Sequence, residues 1–168
     1  MRGGRNNYAF IDEQNLYLGL KSLGWDMDYS RFRVHLAETY GVSRAFVFFG
    51  YVATNEGMYK RLRTCGYELI FKEVSRDHTG TVKGNVDVLL TLHALLRFRE
   101  YEKAVLISSD GDFAPLVQYW VVQKKLRAVI AVQRRRCSYL LRKAAGGYLD
   151  YLESLDDEGL LEKTKRRP

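Results

Sequence analysis

Four aspartates stand where they could do chemistry. Asp110 and Asp112, separated by one glycine, follow the apolar run Val105-Leu106-Ile107 in Ser108-Ser109-Asp110-Gly111-Asp112-Phe113. Asp12 closes a second apolar run, Tyr8-Ala9-Phe10-Ile11, and Asp87 opens an apolar helical stretch after a loop. Carboxylates are hard oxygen ligands, and a group of them suits Mg²⁺ or Mn²⁺. Such an ion can polarise a phosphate, activate water and stabilise a leaving oxygen. Gathering acids in a cleft is unfavourable unless a cation or a proton compensates. Each aspartate also has a local explanation. Asp110-Gly111 suits a turn, Asp112 and Asp12 suit helix caps, and Asp87 suits the first turn of a helix. Requiring all of these local roles at once makes them less attractive.

The elements that must position these acids follow from hydrophobic periodicity. Tyr8–Asp12 reads as a strand running into a helix. Gly24 breaks that segment, and Asp28 can cap a second helix that stops at Gly41. Ala45–Tyr51 reads as a strand buried on both faces, and Glu56–Cys65 as a helix stopped by Gly66. Tyr67–Val74 is a further strand. Residues 75–81 form a polar loop, and a long helix is predicted from Val86 to Tyr101. After the strand that precedes Asp110, the residues Phe113, Leu116, Val117, Trp120 and Val121 recur at helical spacing. Ala128–Val132 reads as a buried strand, Ser138 as the cap of a short helix to Ala145, and residues 148–152 as a last short strand. A frayed helix or disorder is expected from Ser154 onward. Strands alternating with helices imply an α/β fold with a mainly parallel sheet and helices on both faces. Asp12 and the Asp110/Asp112 pair then lie at carboxyl ends of strands, where open α/β sheets place their chemistry. If those two strands are neighbours the acids converge, with Asp87 approaching from above.

The 168 residues suggest one domain, taken as residues 1–153, with a polar, flexible tail at 154–168. Hydrophobic residues make up 46% and charged residues 28%, and no apolar run is long enough to span a membrane. The opening residues lack the apolar core of a signal peptide. Cys65 and Cys137 are read as reduced thiols, so a cytoplasmic protein is expected. The three histidines, at 35, 78 and 93, lack zinc-ligand spacing. A net charge of +7 and a sequence pI near 9.4 favour a polyanionic partner.

The chain resembles the NYN-domain family, the LabA-like branch of the PIN-like nuclease superfamily. The resemblance rests on Phe10-Ile11-Asp12-Glu13-Gln14-Asn15-Leu16, on Lys83-Gly84-Asn85-Val86-Asp87-Val88, on Ser108-Ser109-Asp110-Gly111-Asp112-Phe113 with Pro115-Leu116, and on Ser138 with Leu141. Any one piece is weak, but the ordered set, spanning roughly residues 7 to 152, is specific. It implies a PIN-like three-layer α/β/α sandwich. It also implies a catalytic metal site of Asp12, Asp87, Asp110 and Asp112 holding Mg²⁺ or Mn²⁺. Asn15 would orient the first acid or a substrate phosphate, and Lys83 matches a basic position. Ser108 and Ser138 join them on the substrate side. Two positions depart from the family pattern. His93 stands six residues after Asp87, where many relatives carry an acid, and is expected to be a satisfied helix residue rather than a ligand. Ser109 stands where relatives often carry glycine.

Many members of the family cut RNA, so RNA, single-stranded, is the expected substrate, and a homodimer is left open. Arg134, Arg135 and Arg136 follow a strand and should lie at the acidic end of the sheet, where they can hold phosphates. Tyr51 and Tyr139 could stack bases, although packing is the expected role for both. A metal-dependent ribonuclease is the leading reading, and a non-catalytic RNA-binding or regulatory module that keeps the acidic cleft is the alternative. A phosphotransferase using Asp12 as nucleophile is weaker, because no Asp-x-Asp pattern follows from Asp12.

Overall fold

The computed structural model describes residues 5–50, 55–72, 75–76, 78–79, 82–83, 86–155 and 159–163. The chain opens with β1 (Asn7–Asp12), α1 (Glu13–Ser22), β2 (Trp25–Met27) and α2 (Tyr29–Tyr40). It continues with β3 (Val42–Gly50), α3 (Glu56–Thr64), β4 (Tyr67–Lys72), β5 (Ser75–Arg76) and β6 (Val82–Lys83). Then follow α4 (Asp87–Leu96), β7 (Ala104–Ile107), α5 (Ala114–Val122) and β8 (Leu126–Ala131). Last come α6 (Tyr139–Ala145), β9 (Leu149–Tyr151) and β10 (Leu161–Lys163).

The main sheet has the order β4-β3-β1-β7-β8-β9, and every neighbouring pair is parallel. Helices cover both faces, as a PIN-like sandwich requires. The chain leaves β1 toward β3 and β4, then returns on the other side of β1 at β7. The strand order therefore reverses between β1 and β7, and a crevice opens at the carboxyl ends of strands beside such a reversal. Asp12 and the Ser108–Asp112 turn flank it.

Strand alternation divides the side chains of β1 between two cores. Ala9 and Ile11 pack with Leu16, Leu20, Phe32, Leu36 and Leu62 under α1, α2 and α3. Tyr8 and Phe10 pack with Leu90, Phe113, Trp120 and Leu141 under α4, α5 and α6. Asp12 continues the Tyr8–Phe10 face, so its carboxylate is directed toward the α4 and α5 side. The caps read from the sequence are present at α2. The Asp28 side chain accepts from the Arg31 N–H at 3.0 Å, and Gly41 closes the helix in the left-handed region at φ 69°.

Three segments differ from the sequence expectation. The helix predicted to Tyr101 ends at Leu96, because Lys125 draws the chain away: its Nζ donates to the Phe98 and Tyr101 carbonyls. Within the loop expected over 75–81, Ser75 and Arg76 form β5, which pairs antiparallel with β6. Residues 161–163 are neither frayed helix nor disorder. They form β10, antiparallel to the unanticipated β2, with Leu160 and Leu161 buried against the first core. Among the described residues, no helix is long and apolar enough to cross a membrane.

Candidate metal centre

The Ser108–Asp112 turn is held by its own polar groups. The Ser108 hydroxyl donates to Asp12 Oδ2 at 3.3 Å and accepts the Asp110 N–H at 3.1 Å. Asp110 Oδ1 accepts the Asp112 N–H at 2.9 Å, so Asp110 rather than Asp112 caps the short 3-10 turn Gly111–Phe113 that leads into α5. Asn15 reaches across from α1, and its Oδ1 accepts the Ser109 N–H at 2.8 Å. On the far side the Ser138 N–H donates to the Ser109 carbonyl at 3.0 Å. Gly111 lies so close to the Ser138 side chain that a Cβ at this position would meet its hydroxyl.

Asp87, Asp110 and Asp112 each present a carboxylate oxygen within 4.8 Å of the others. Octahedral Mg²⁺ at about 2.1 Å from its ligands separates neighbouring oxygens by about 3 Å and opposite ones by about 4 Å, so this spacing fits one shared divalent ion. Asp12 lies outside this set of three but behind it, and buried. Burial pushes its carboxyl up from 3.8 to about 6. The Asn15 N–H works against that shift, the charge of Asp87 adds to it, the Ser108 hydroxyl opposes it, and the charge of Asp110 adds to it. A cation among these carboxylates would relieve the repulsion.

Of the other expected site residues, Asn15, Ser108 and Ser138 meet at this turn. Ser108 is buried, so its hydroxyl serves Asp12 and Asp110 rather than an open surface. Arg134, Arg135 and Arg136 form an exposed 3-10 turn after β8, at the same end of the sheet. The Arg134 guanidinium lies over the Tyr151 ring at 5.4 Å, and the Arg134 backbone N–H donates to Glu153 Oε1 at 2.8 Å. Among the described residues, Arg135 and Arg136 have no ion-pair partner. Lys83 contributes its backbone to β6, but its side chain lies outside the described residues, as does Tyr51. Tyr139 corrects the packing expectation: it is 66% exposed on the first turn of α6.

His93 is no ligand to this cluster. It packs edge-on against Phe46 and Phe48, at centroid distances of 4.8 and 5.3 Å, and its Nε2 accepts from Arg97 Nε at 2.8 Å. Cys65 and Cys137 are free thiols, as the composition suggested. Glu13 went unnoticed in the sequence. Burial, then the charge of Asp12, push its carboxyl up to about 7. It opens α1 and lines a cleft with Tyr17, Tyr29 and Arg61. Its only sequence signal was its place after Asp12, which reads equally well as an ordinary first-turn acid.

Comparison with known proteins gives the family and the fold. Residues 8–154 match the model of the NYN domain, and the chain belongs to that family, a member of the PIN-like superfamily in which nucleases predominate. No curated protein matches the chain. A crystal structure of a protein of unknown function, VPA0982 from Vibrio parahaemolyticus, is similar in fold. Its TM-score is 0.75 at 24% identity, over 96% of this chain and 100% of the other.

Proposed function

From membership of the NYN family and the carboxylates at the sheet crevice, we propose that this protein is a metal-dependent ribonuclease. It hydrolyses phosphodiester bonds of single-stranded RNA. The observation that carries this reading is the convergence of Asp87, Asp110 and Asp112 within 4.8 Å, beside the buried Asp12. Bound there, Mg²⁺ or Mn²⁺ would supply Lewis acidity toward a phosphate oxygen and toward water. Asp87, Asp110 and Asp112 would hold the ion. Asp12 is fixed by the Ser108 hydroxyl and the Asn15 N–H, and each of its oxygens keeps a further lone pair for a ligand or a water. Asn15 holds the Ser109 end of the turn in register. Arg134, Arg135 and Arg136, with Lys83 and Ser138, supply the substrate side.

Cleavage of end-labelled single-stranded RNA in Mn²⁺, with and without chelator, tests this reading beside the Asp110→Asn variant. Turnover that needs the metal and is lost in the variant supports it. A second reading, a non-catalytic RNA-binding module, is favoured by His93, which fills a position where many relatives carry an acid and is turned into the core. Tight RNA binding with no metal-dependent turnover would select that reading.

A further inference from the structure

The helix that carries Asp87 also carries an apolar surface that neither core uses. On α4, Leu90 and Ala94 face inward, while Val88, Leu92, Leu95 and Leu96 are exposed, Val88 at 79% and Leu96 at 76%. Val88, Leu92 and Leu96 fall four residues apart, so they form one ridge along the helix. No acidic or basic side chain other than the neutral-leaning His93 interrupts the sequence between Asp87 and Arg97. Beside the ridge lies a groove of about 630 Å³ between α4 and α5, lined by Leu95, Phe98, Pro115, Leu116 and Tyr119, with Arg99 as its one charged side chain among the described residues. Val122, at 75% exposed, extends the apolar surface along α5.

We propose that this face is occupied by a second copy of the chain, in a two-fold dimer. A ridge and a groove side by side are the two halves of an isologous contact: the ridge of one copy seats in the groove of its partner, and the reverse. The exposed apolar side chains amount to roughly 600 Å², at the top of what monomers leave bare. Two such faces, if fully covered, would bury about 1,200 Å², the area at which standard stable interfaces begin. RNA does not suit the groove, because one arginine cannot neutralise a strand of phosphates. With a net charge of +7 on each copy, an uncharged contact surface is also the one that repels least.

Sedimentation velocity of the full chain at micromolar concentration tests this. The expected result is a species of twice 19.5 kDa. The double variant Leu92→Glu/Leu96→Glu should halve that mass with an unchanged far-ultraviolet circular dichroism spectrum, since both side chains are exposed. Val34→Glu, exposed on α2 across the sheet, should leave the dimer intact. A wild-type monomer throughout that range overturns the proposal and leaves the face to a different protein. A dimer that survives in the double variant overturns it too, by locating the interface elsewhere. Cleavage is not read in this experiment, so its failure leaves the nuclease reading untouched.

Discussion

The Asn15 side-chain oxygen accepts the Ser109 N–H at 2.8 Å, which ties the first turn of α1 to the turn that follows β7. The two elements flank the reversal of strand order, where the Ser108 hydroxyl on Asp12 Oδ2 makes a second tie between the β1 and β7 ends. Asn15→Ala leaves the partly buried Ser109 N–H without its partner. That should cost about 1–2 kcal/mol of stability and weaken Mn²⁺ binding, since Asp110 and Asp112 belong to the released turn. Thermal melts and Mn²⁺ calorimetry measure the two effects. Unchanged metal affinity in the variant would show that the tether does not set the carboxylates.

Gly111 is required for space rather than for backbone freedom. A Cβ here meets the Ser138 hydroxyl, with the Ser138 Cβ 3.0 Å away. Gly111→Ala should therefore destabilise by about 1–3 kcal/mol, the usual range for overpacking. Adding Ser138→Gly to the same chain should recover most of the loss. If the double variant melts no higher than Gly111→Ala, the crowding lies elsewhere.

His93 gives stability a defined dependence on pH. Burial, then the charges of Arg97 and Arg44, hold its imidazole below the usual histidine range, while Glu68 and Glu100 pull the other way without overcoming them. Phe46 and Phe48 pack on the ring, and Arg97 Nε donates to it. The unfolded chain binds this proton at a higher pH than the folded one, so stability rises with pH through the interval between the two pKa values. The contribution is complete above the ordinary value of 6.5 and is lost as pH falls through the lower, folded value. His93→Gln should flatten that part of the curve of melting temperature against pH. A wild-type curve that is flat below pH 6.5 would remove His93 from the account.

The α/β class was legible because runs such as Phe46-Val47-Phe48-Phe49 and Val105-Leu106-Ile107 are apolar on both faces, as only a covered parallel sheet allows. Asp12 and Asp110 were legible as strand-end acids, but their meeting depended on β1 and β7 being neighbours, which no local spacing encodes. The pairing of β2 with β10 was hidden because three-residue strands are too short to show alternation and their contact spans most of the chain. The end of α4 was misplaced because Phe98 and Tyr101 continue a helical pattern, whereas Lys125, far along the chain, takes their carbonyls. Tyr139 looked like a packing residue by type, yet Leu141 and Ala145 fill the inner face of α6 and leave the tyrosine outside.

On the proposed ribonuclease reading, the exposed arginines at the end of β8 neutralise a substrate that the aspartates would otherwise repel. Each phosphate contact should add about −0.7 to the slope of log affinity against log salt for a single strand. Arg134 already leans on Tyr151, so Arg135 and Arg136 are expected to carry most of the effect. Replacing all three with alanine should weaken binding of single-stranded RNA and flatten the slope by about one to two units. Mn²⁺ affinity should be unaffected, because none of the three arginines belongs to the Asp87, Asp110 and Asp112 cluster. Filter binding from low to moderate salt reads the slope directly. An unchanged slope would mean that the phosphates follow another path, and Arg142 and Lys143, in the last turn of α6, are the next cations to replace.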